Sequence, residues 1–256
     1  MLFSTGDLHG LFSRFSSKKG FFPEQTLLSK EDCMIIPGDF GGVWNPEGES
    51  DFEKQNLDFL ENRPFTTIFC DGNHENHSRL NDYPVKIWNN DIVHEIRPSI
   101  LHLIRGEVYT LNDGYKVFSF GGARSHDISG GVLHKDDPDY YKHLANAKRS
   151  GIPYRIEGFD IWYDKELPSI EEMEHGLQNL EKHNNKVDLI VSHDCPSSVL
   201  NNLYANDRPT TTALNDYLEV LRIKVRYKLW VFGHHHIDKK IDDRMYCLYN
   251  QIVRIH

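Results

Sequence analysis

Cysteine is scarce in this chain. Cys33, Cys70, Cys195 and Cys247 are its four, and no CxxC occurs, which argues against a disulfide framework, a redox dithiol motif or a structural cysteine-zinc site. Long apolar runs are missing as well. None approaches the roughly 20 residues of a membrane span, and the first strand and motif begin at the amino terminus where a signal peptide would stand, so a cytoplasmic protein without a membrane partner is expected. A basic surplus is also absent: 29 Lys and Arg face 38 Asp and Glu, a net charge of -9, which argues against an extended nucleic-acid partner. The one basic cluster, Arg222, Lys224, Arg226 and Lys228, alternates with Ile223, Val225 and Tyr227 and reads as the solvated face of a strand leading into Leu229. No composition shift or low-complexity stretch divides the 256 residues, 39% of them hydrophobic. One domain over 1–256 is the expectation, and oligomeric state is not legible.

What the chain does carry is a set of polar residues at the ends of short apolar runs. Asp7 and His9 lie in GDLHG, Asp39 in GDFGG, Asn73 in GNHE, His193 in SHD, and His234 with His236 in GHHH. The preceding runs are Leu2 to Thr5, Met34 to Pro37, Thr67 to Cys70, Asp188 to Ser192 and Leu229 to Phe232. Short apolar runs ending in Gly and polar residues read as buried strands feeding loops. In open α/β sheets, loops at the carboxyl ends of different strands converge on the ligand site, so one edge can collect all seven groups. In extended backbone, residues two apart share a side, which pairs Asp7 with His9 and His234 with His236. Leu8 and His235 then face elsewhere. Any single one of the 15 histidines is better read as packed or solvated; the shared context of five motifs carries the site.

The donor set is carboxylate, imidazole and amide oxygen without thiolate. It suits first-row divalent ions, with two manganese ions as the expectation and iron, nickel or zinc as alternatives. If Asp39 bridges two cations, each can have four protein donors and still keep positions open for water and substrate. Two ions about 3.5–4 Å apart can bind both oxygens of an in-line displacement and acidify a bound water, which is what phosphoester hydrolysis requires.

These motifs, in this order over residues 6 to 236, resemble the calcineurin-like metallophosphoesterase superfamily, whose pattern is D-x-H, G-D-x-x-G or D, G-N-H-E or D, a lone His, and G-H-x-H. The resemblance implies that Asp7, His9, Asp39 and His236 hold one metal and that Asp39, Asn73, His193 and His234 hold the other. It also implies that His74 is the catalytic histidine, stabilising the transition state or protonating the leaving oxygen, a task that suits an imidazole. One departure is Gly42. The Ser/Thr protein phosphatases of the superfamily carry GDxVDRG, with an Asp at this place that orients the catalytic His, so a protein phosphatase is disfavoured. Glu75 and Asp127 are the candidates for orienting His74 instead.

Along the chain, residues 1 to 90 alternate strands with helical stretches such as Asp51 to Asn62. Ile92 to Ile96, Leu101 to Ile104, Glu107 to Leu111 and Tyr115 to Phe120 read as consecutive strands, with Asn112-Asp113-Gly114 as a hairpin turn. Ser169 to His183 reads as a helix, with Ser169 and Glu172 placed as a capping box, and Thr210 to Val220 as another. Ile237 to Ile255 returns to short strands. Two mixed β-sheets flanked by helices follow, the αββα sandwich that the resemblance also implies.

The stretch from Gly121 to Pro168 is the least regular and reads as a lid-like or substrate-loop insertion, around 121–168. Within it Arg124 and Ser125 are candidate contacts for a substrate phosphate. Trp44, Trp162 and Tyr163 can cover the site or stack on a base, with packing the favoured reading. The expected activity is metal-dependent hydrolysis of a small phosphomonoester or phosphodiester, including nucleotides, by a metal-bridging hydroxide with His74 assisting the leaving group. The alternatives are a nuclease of the same superfamily and a catalytically silent metal-binding scaffold.

Overall fold

The computed structural model describes residues 1–16, 20–45, 47–125, 131–150, 154–156, 165–204 and 210–256. In chain order the first half gives β1 (Leu2–Thr5), β2 (Cys33–Pro37), α1 (Asp51–Glu61), β3 (Thr66–Cys70), α2 (His77–Asp82), β4 (Val85–Trp88), β5 (Asp91–Arg97), β6 (Ile100–Leu103), β7 (Val108–Thr110) and β8 (Lys116–Phe120). The second half gives β9 (Val132–Leu133), α3 (Tyr140–Ser150), β10 (Arg155–Ile156), α4 (Ile170–Lys182), β11 (Leu189–Ser192), α5 (Ser197–Leu203), α6 (Ala213–Lys224), β12 (Leu229–Phe232), β13 (Lys239–Asp242), β14 (Met245–Cys247) and β15 (Ile252–Arg254).

The strands form two large sheets, ordered β15-β1-β2-β3-β6-β5-β4 and β13-β14-β12-β11-β8-β7, and a two-stranded pair of β9 and β10. Both large sheets are mixed. β1, β2, β3 and β6 run parallel in the first, and β8, β11, β12 and β14 in the second. Parallel strands in each sheet point the same way, so each sheet gathers its strand ends along one edge.

Period-2 alternation assigns the layers. Cys33 and Ile35 of β2 belong to the cluster between the sheets, with Leu189 and Val191 of β11 and Val231 of β12. Met34 and Ile36 turn to the other face and pack with Leu57 and Leu60 of α1. Likewise Ile190 and Trp230 turn outward under Leu214, Leu218 and Leu221 of α6. Helix, sheet, sheet, helix is the result, the αββα sandwich expected. Each side chain buried as Ile35 is, with no exposed surface, contributes about 1.5–3 kcal/mol through burial.

The capping box at Ser169 and Glu172 forms as read, and two more close the starts of α1 (Ser50 with Glu53) and α6 (Thr212 with Asn215). All four cysteines are buried and free. Among the described residues no helix is long and apolar enough to cross a membrane.

Three features differ from the sequence reading. The basic stretch read as a strand face begins instead as the last turn of α6, which carries Arg222 and Lys224. The apolar series Leu214, Tyr217, Leu218, Leu221 and Val225 keeps helical spacing into the basic segment and overrides its alternation, and cations at a helix carboxyl end suit the macrodipole. β4 and α5 were not anticipated. Finally, the stretch 121–168 contains the helix α3, which has no buried residue and so no apolar stripe to betray it.

Candidate metal centre

Five strand ends meet along the common edge. β1 runs into Asp7 and His9, β2 into Asp39, β3 into Asn73 and His74, β11 into His193, and β12 into His234 and His236. The donor atoms of Asp7, His9, Asp39 and His236 all lie within 4.8 Å of one another, and so do those of Asp39, His193 and His234. Asn73 joins the second group through its amide oxygen, 3.1 Å from His193 Nε2. Asp39 belongs to both. Its Oδ2 lies 3.7 Å from His9 Nε2, and its Oδ1 lies 3.3 Å from His193 Nε2.

Surrounding hydrogen bonds fix how each donor points. His193 Nδ1 donates to the Pro37 carbonyl at 2.8 Å, leaving Nε2 turned toward Asp39 and Asn73. The Asp7 carboxylate accepts the His234 backbone N–H at 3.1 and 3.0 Å and stands 3.3 Å from His236 Nε2. The Asn73 amide nitrogen donates to Ser125 Oγ at 3.0 Å, and that hydroxyl donates to Glu166 Oε2 at 2.6 Å. An amide held by its nitrogen presents its oxygen the other way, into the donor cluster. His236 is stacked on Tyr249, ring centroids 4.7 Å apart.

Backbone strain concentrates here. His9, Asp39, His234 and His236 all have positive φ, at 46°, 45°, 66° and 52°. Such conformations cost on the order of 1–3 kcal/mol each and persist only where the surroundings over-determine them. The glycines that precede the polar residues have a steric reason. A Cβ at Gly38 would stand 2.1 Å from His193 Nδ1, and one at Gly72 would stand 2.2 Å from Asp39 Oδ1. The glycines before Asp39 and Asn73 thus leave room for a side chain from another motif.

Electrostatics favour a cation. Burial alone would lower the His193 imidazole, yet Asp39 and Asp7 beside it push it up to about 10. Asp39 is fully buried, which would raise its carboxyl, and the neighbouring imidazoles of His193, His74 and His9 hold it well below the usual carboxylate range. Two buried carboxylates that stabilise positive charge among hard oxygen and imidazole donors fit divalent cations.

The remaining expectations divide. His74 is half-buried, its ring 5.2 Å from that of His9, its backbone N–H on Asp39 Oδ1 at 3.0 Å. It lines an open cleft of about 300 Å³ with Asp39, Asn73, Tyr204 and His234 to His236. Ser125 is buried behind Asn73, rather than turned to substrate, because its hydroxyl lies between Asn73 and Glu166. Arg124 is exposed. Glu75 accepts the Gly41 N–H at 3.0 Å and the Gly72 N–H, which ties the Asp39 loop to the Asn73 loop. Burial and the charge of Asp39 push its carboxyl up to about 8. Trp44, expected to pack, is 47% exposed. Asp127, Trp162 and Tyr163 lie outside the described residues. His235 turns away as read, into a buried cluster with Asp194 and Cys195. Sequence reasoning missed Glu166, Tyr204 and Tyr249, none of which sits in a motif.

A family model described as calcineurin-like phosphoesterase matches residues 3–238. The chain belongs to this family. Its members are metal-dependent phosphoesterases with two metal ions, and the donor clusters above are candidate metal-ligand clusters. The lariat debranching enzyme of Schizosaccharomyces pombe is 24% identical over 253 residues, 85% of this chain and 47% of that protein. This chain therefore spans about half the length of that curated relative. Among solved structures, the phosphopantetheinyl hydrolase PptH from Mycobacterium tuberculosis is 16% identical with a TM-score of 0.44, covering 97% of this chain and 87% of that one.

Proposed function

We propose that this phosphoesterase hydrolyses a small phosphodiester or phosphomonoester, nucleotides included, at the cleft beside Asp39. The observation that carries the reading is the double placement of Asp39, whose two carboxylate oxygens face two separate donor groups. Asp7, His9, Asp39 and His236 would hold one divalent ion, and Asp39, Asn73, His193 and His234 the other, with manganese the first choice among manganese, iron, nickel and zinc. When bound, the ions supply Lewis-acid charge and lower the pKa of a coordinated water.

The chain's own groups complete the chemistry. His74, set at the cleft wall by its backbone N–H on Asp39, gives a proton from its imidazole to the departing ester oxygen. Ser125 and Glu166 keep the Asn73 oxygen aimed inward. Glu75 clamps the loops that carry Asp39 and Asn73 so that donors and acid stay in register. Arg124, exposed at the start of the 121–168 stretch, reaches substrate phosphate from that substrate loop.

Protein reconstituted with manganese should cleave a bis-aryl phosphodiester or an aryl phosphate. Asp39→Asn should abolish turnover, and wild-type rates in that variant would overturn the mechanism. A nuclease is the second reading, favoured by the relative named a lariat debranching enzyme and opposed by a net charge of -9. Branched RNA and single-stranded oligonucleotide assayed beside the small diesters separate the two.

A further inference from the structure

His235 is the one histidine of GHHH that faces away from the donor clusters, and its partners give it a task. Its Nδ1 lies 3.2 Å from the hydroxyl of Tyr204, and its Nε2 lies 3.3 Å from Asp194 Oδ1. Asp194 is in turn held at Oδ2 by the Asn215 amide at 2.9 Å. The order is therefore Asn215, Asp194, His235, Tyr204, leading from the buried start of α6 to the cleft. The same two strand ends serve both purposes. After β11, His193 turns to the donors and Asp194 to this chain of contacts; after β12, His234 and His236 turn one way and His235 the other.

Tyr204 caps the carboxyl end of α5. It packs partly against the core beneath the helices, and it also lines the cleft with His74, Asn73 and His234. Its hydroxyl is held by the buried imidazole of His235, which Asp194 holds in turn. The hydroxyl anchor fixes the ring's tilt at the wall of the cleft. A ring so fixed has little conformational freedom to lose when it meets a flat partner, and stacking on an aromatic side chain tolerates any planar ring.

Resting on the phosphoesterase reading above, we infer that Tyr204 is a specificity-determining residue, stacking on a planar ring, such as a nucleobase, carried by the phosphoester substrate. His235 and Asp194 are its positioning residues.

The test compares two diesters with the same leaving group, thymidine 5′-p-nitrophenyl phosphate and methyl p-nitrophenyl phosphate, on the manganese-loaded protein. Tyr204→Ala should lower the ratio of kcat/KM for the thymidine diester over the methyl diester by about tenfold, mainly through KM. Tyr204→Phe and His235→Gln keep the ring but loosen its anchor, and should lose a smaller part of that ratio. An unchanged ratio in Tyr204→Ala overturns the inference while leaving the phosphoesterase reading intact. If the wild-type protein cleaves neither diester, the diester form of that reading fails, and calorimetry with thymidine 5′-monophosphate against methyl phosphate decides Tyr204 separately. Tighter nucleotide binding that Tyr204→Ala abolishes supports the inference, and equal binding overturns it.

Discussion

His193 and Pro37 meet across the two sheets, the imidazole Nδ1 donating to the carbonyl oxygen at 2.8 Å over 156 residues of sequence. The strand end that supplies Asp39 thereby also sets the orientation of a ring from the other sheet. His193→Ala removes a donor and leaves that carbonyl buried without its partner. We expect a loss of about 1–3 kcal/mol in unfolding free energy, read by denaturant titration, together with reduced manganese content per chain by elemental analysis.

Ser125 acts on the site through Asn73. Ser125→Ala frees the amide to rotate while the carboxylate of Glu166 loses a donor. Metal affinity or activity should fall about 10–100-fold, with the fold retained by circular dichroism. Unchanged manganese affinity and turnover would mean that Asn73 needs no such support.

Arg105 is 7% exposed and grips Asp71, with Nε at 3.0 Å from Oδ2, next to the loop that carries Asn73. Burial would raise the Asp71 carboxyl, but Arg105, His102 and His77 hold it well below the usual range. Arg105→Met should destabilise by about 3–5 kcal/mol because the buried Asp71 carboxylate loses its permanently charged partner. Adding Asp71→Asn should recover part of that loss, which a double-mutant cycle of melting curves measures.

His94 makes stability depend on pH. Burial and then the neighbouring His102, whose Nδ1 lies 2.9 Å from His94 Nδ1, push its imidazole down to about 4, against about 6.5 in the unfolded chain. Between those values the unfolded state binds more protons. Stability is therefore full above about pH 6.5 and is lost as pH falls toward 4. Thermal melts at pH 7 and pH 5 should show a smaller drop for His94→Gln than for wild type.

Much of this was legible in the chain because the signals were local. The parallel strands announced themselves as short apolar runs, and the seven candidate donors fell in motifs at their ends. Gly38 and Gly72 were visible as motif residues, but their reason was not, since the atoms that need the space belong to His193 and Asp39. Ser125 was singled out for a phosphate because sequence cannot say on which side of a loop a hydroxyl lies. Glu166, Tyr204 and Tyr249 act only through contacts between segments far apart in the chain, and no spacing rule reaches them. α3 was missed because it packs no face, and the end of α6 was misread because alternating charges obscured a helical series of apolar residues.

Asp7 accepts the backbone N–H of His234 across 227 positions. A cation held by Asp7, His9, Asp39 and His236 would therefore act as a reversible crosslink, closing almost the entire chain into one loop. Closure entropy grows only slowly with loop length, about 0.6 kcal/mol for each doubling, so so long a loop is not prohibitive to close. The left-handed backbone at His9, Asp39, His234 and His236 is the part of that clasp which the chain supplies by its own folding.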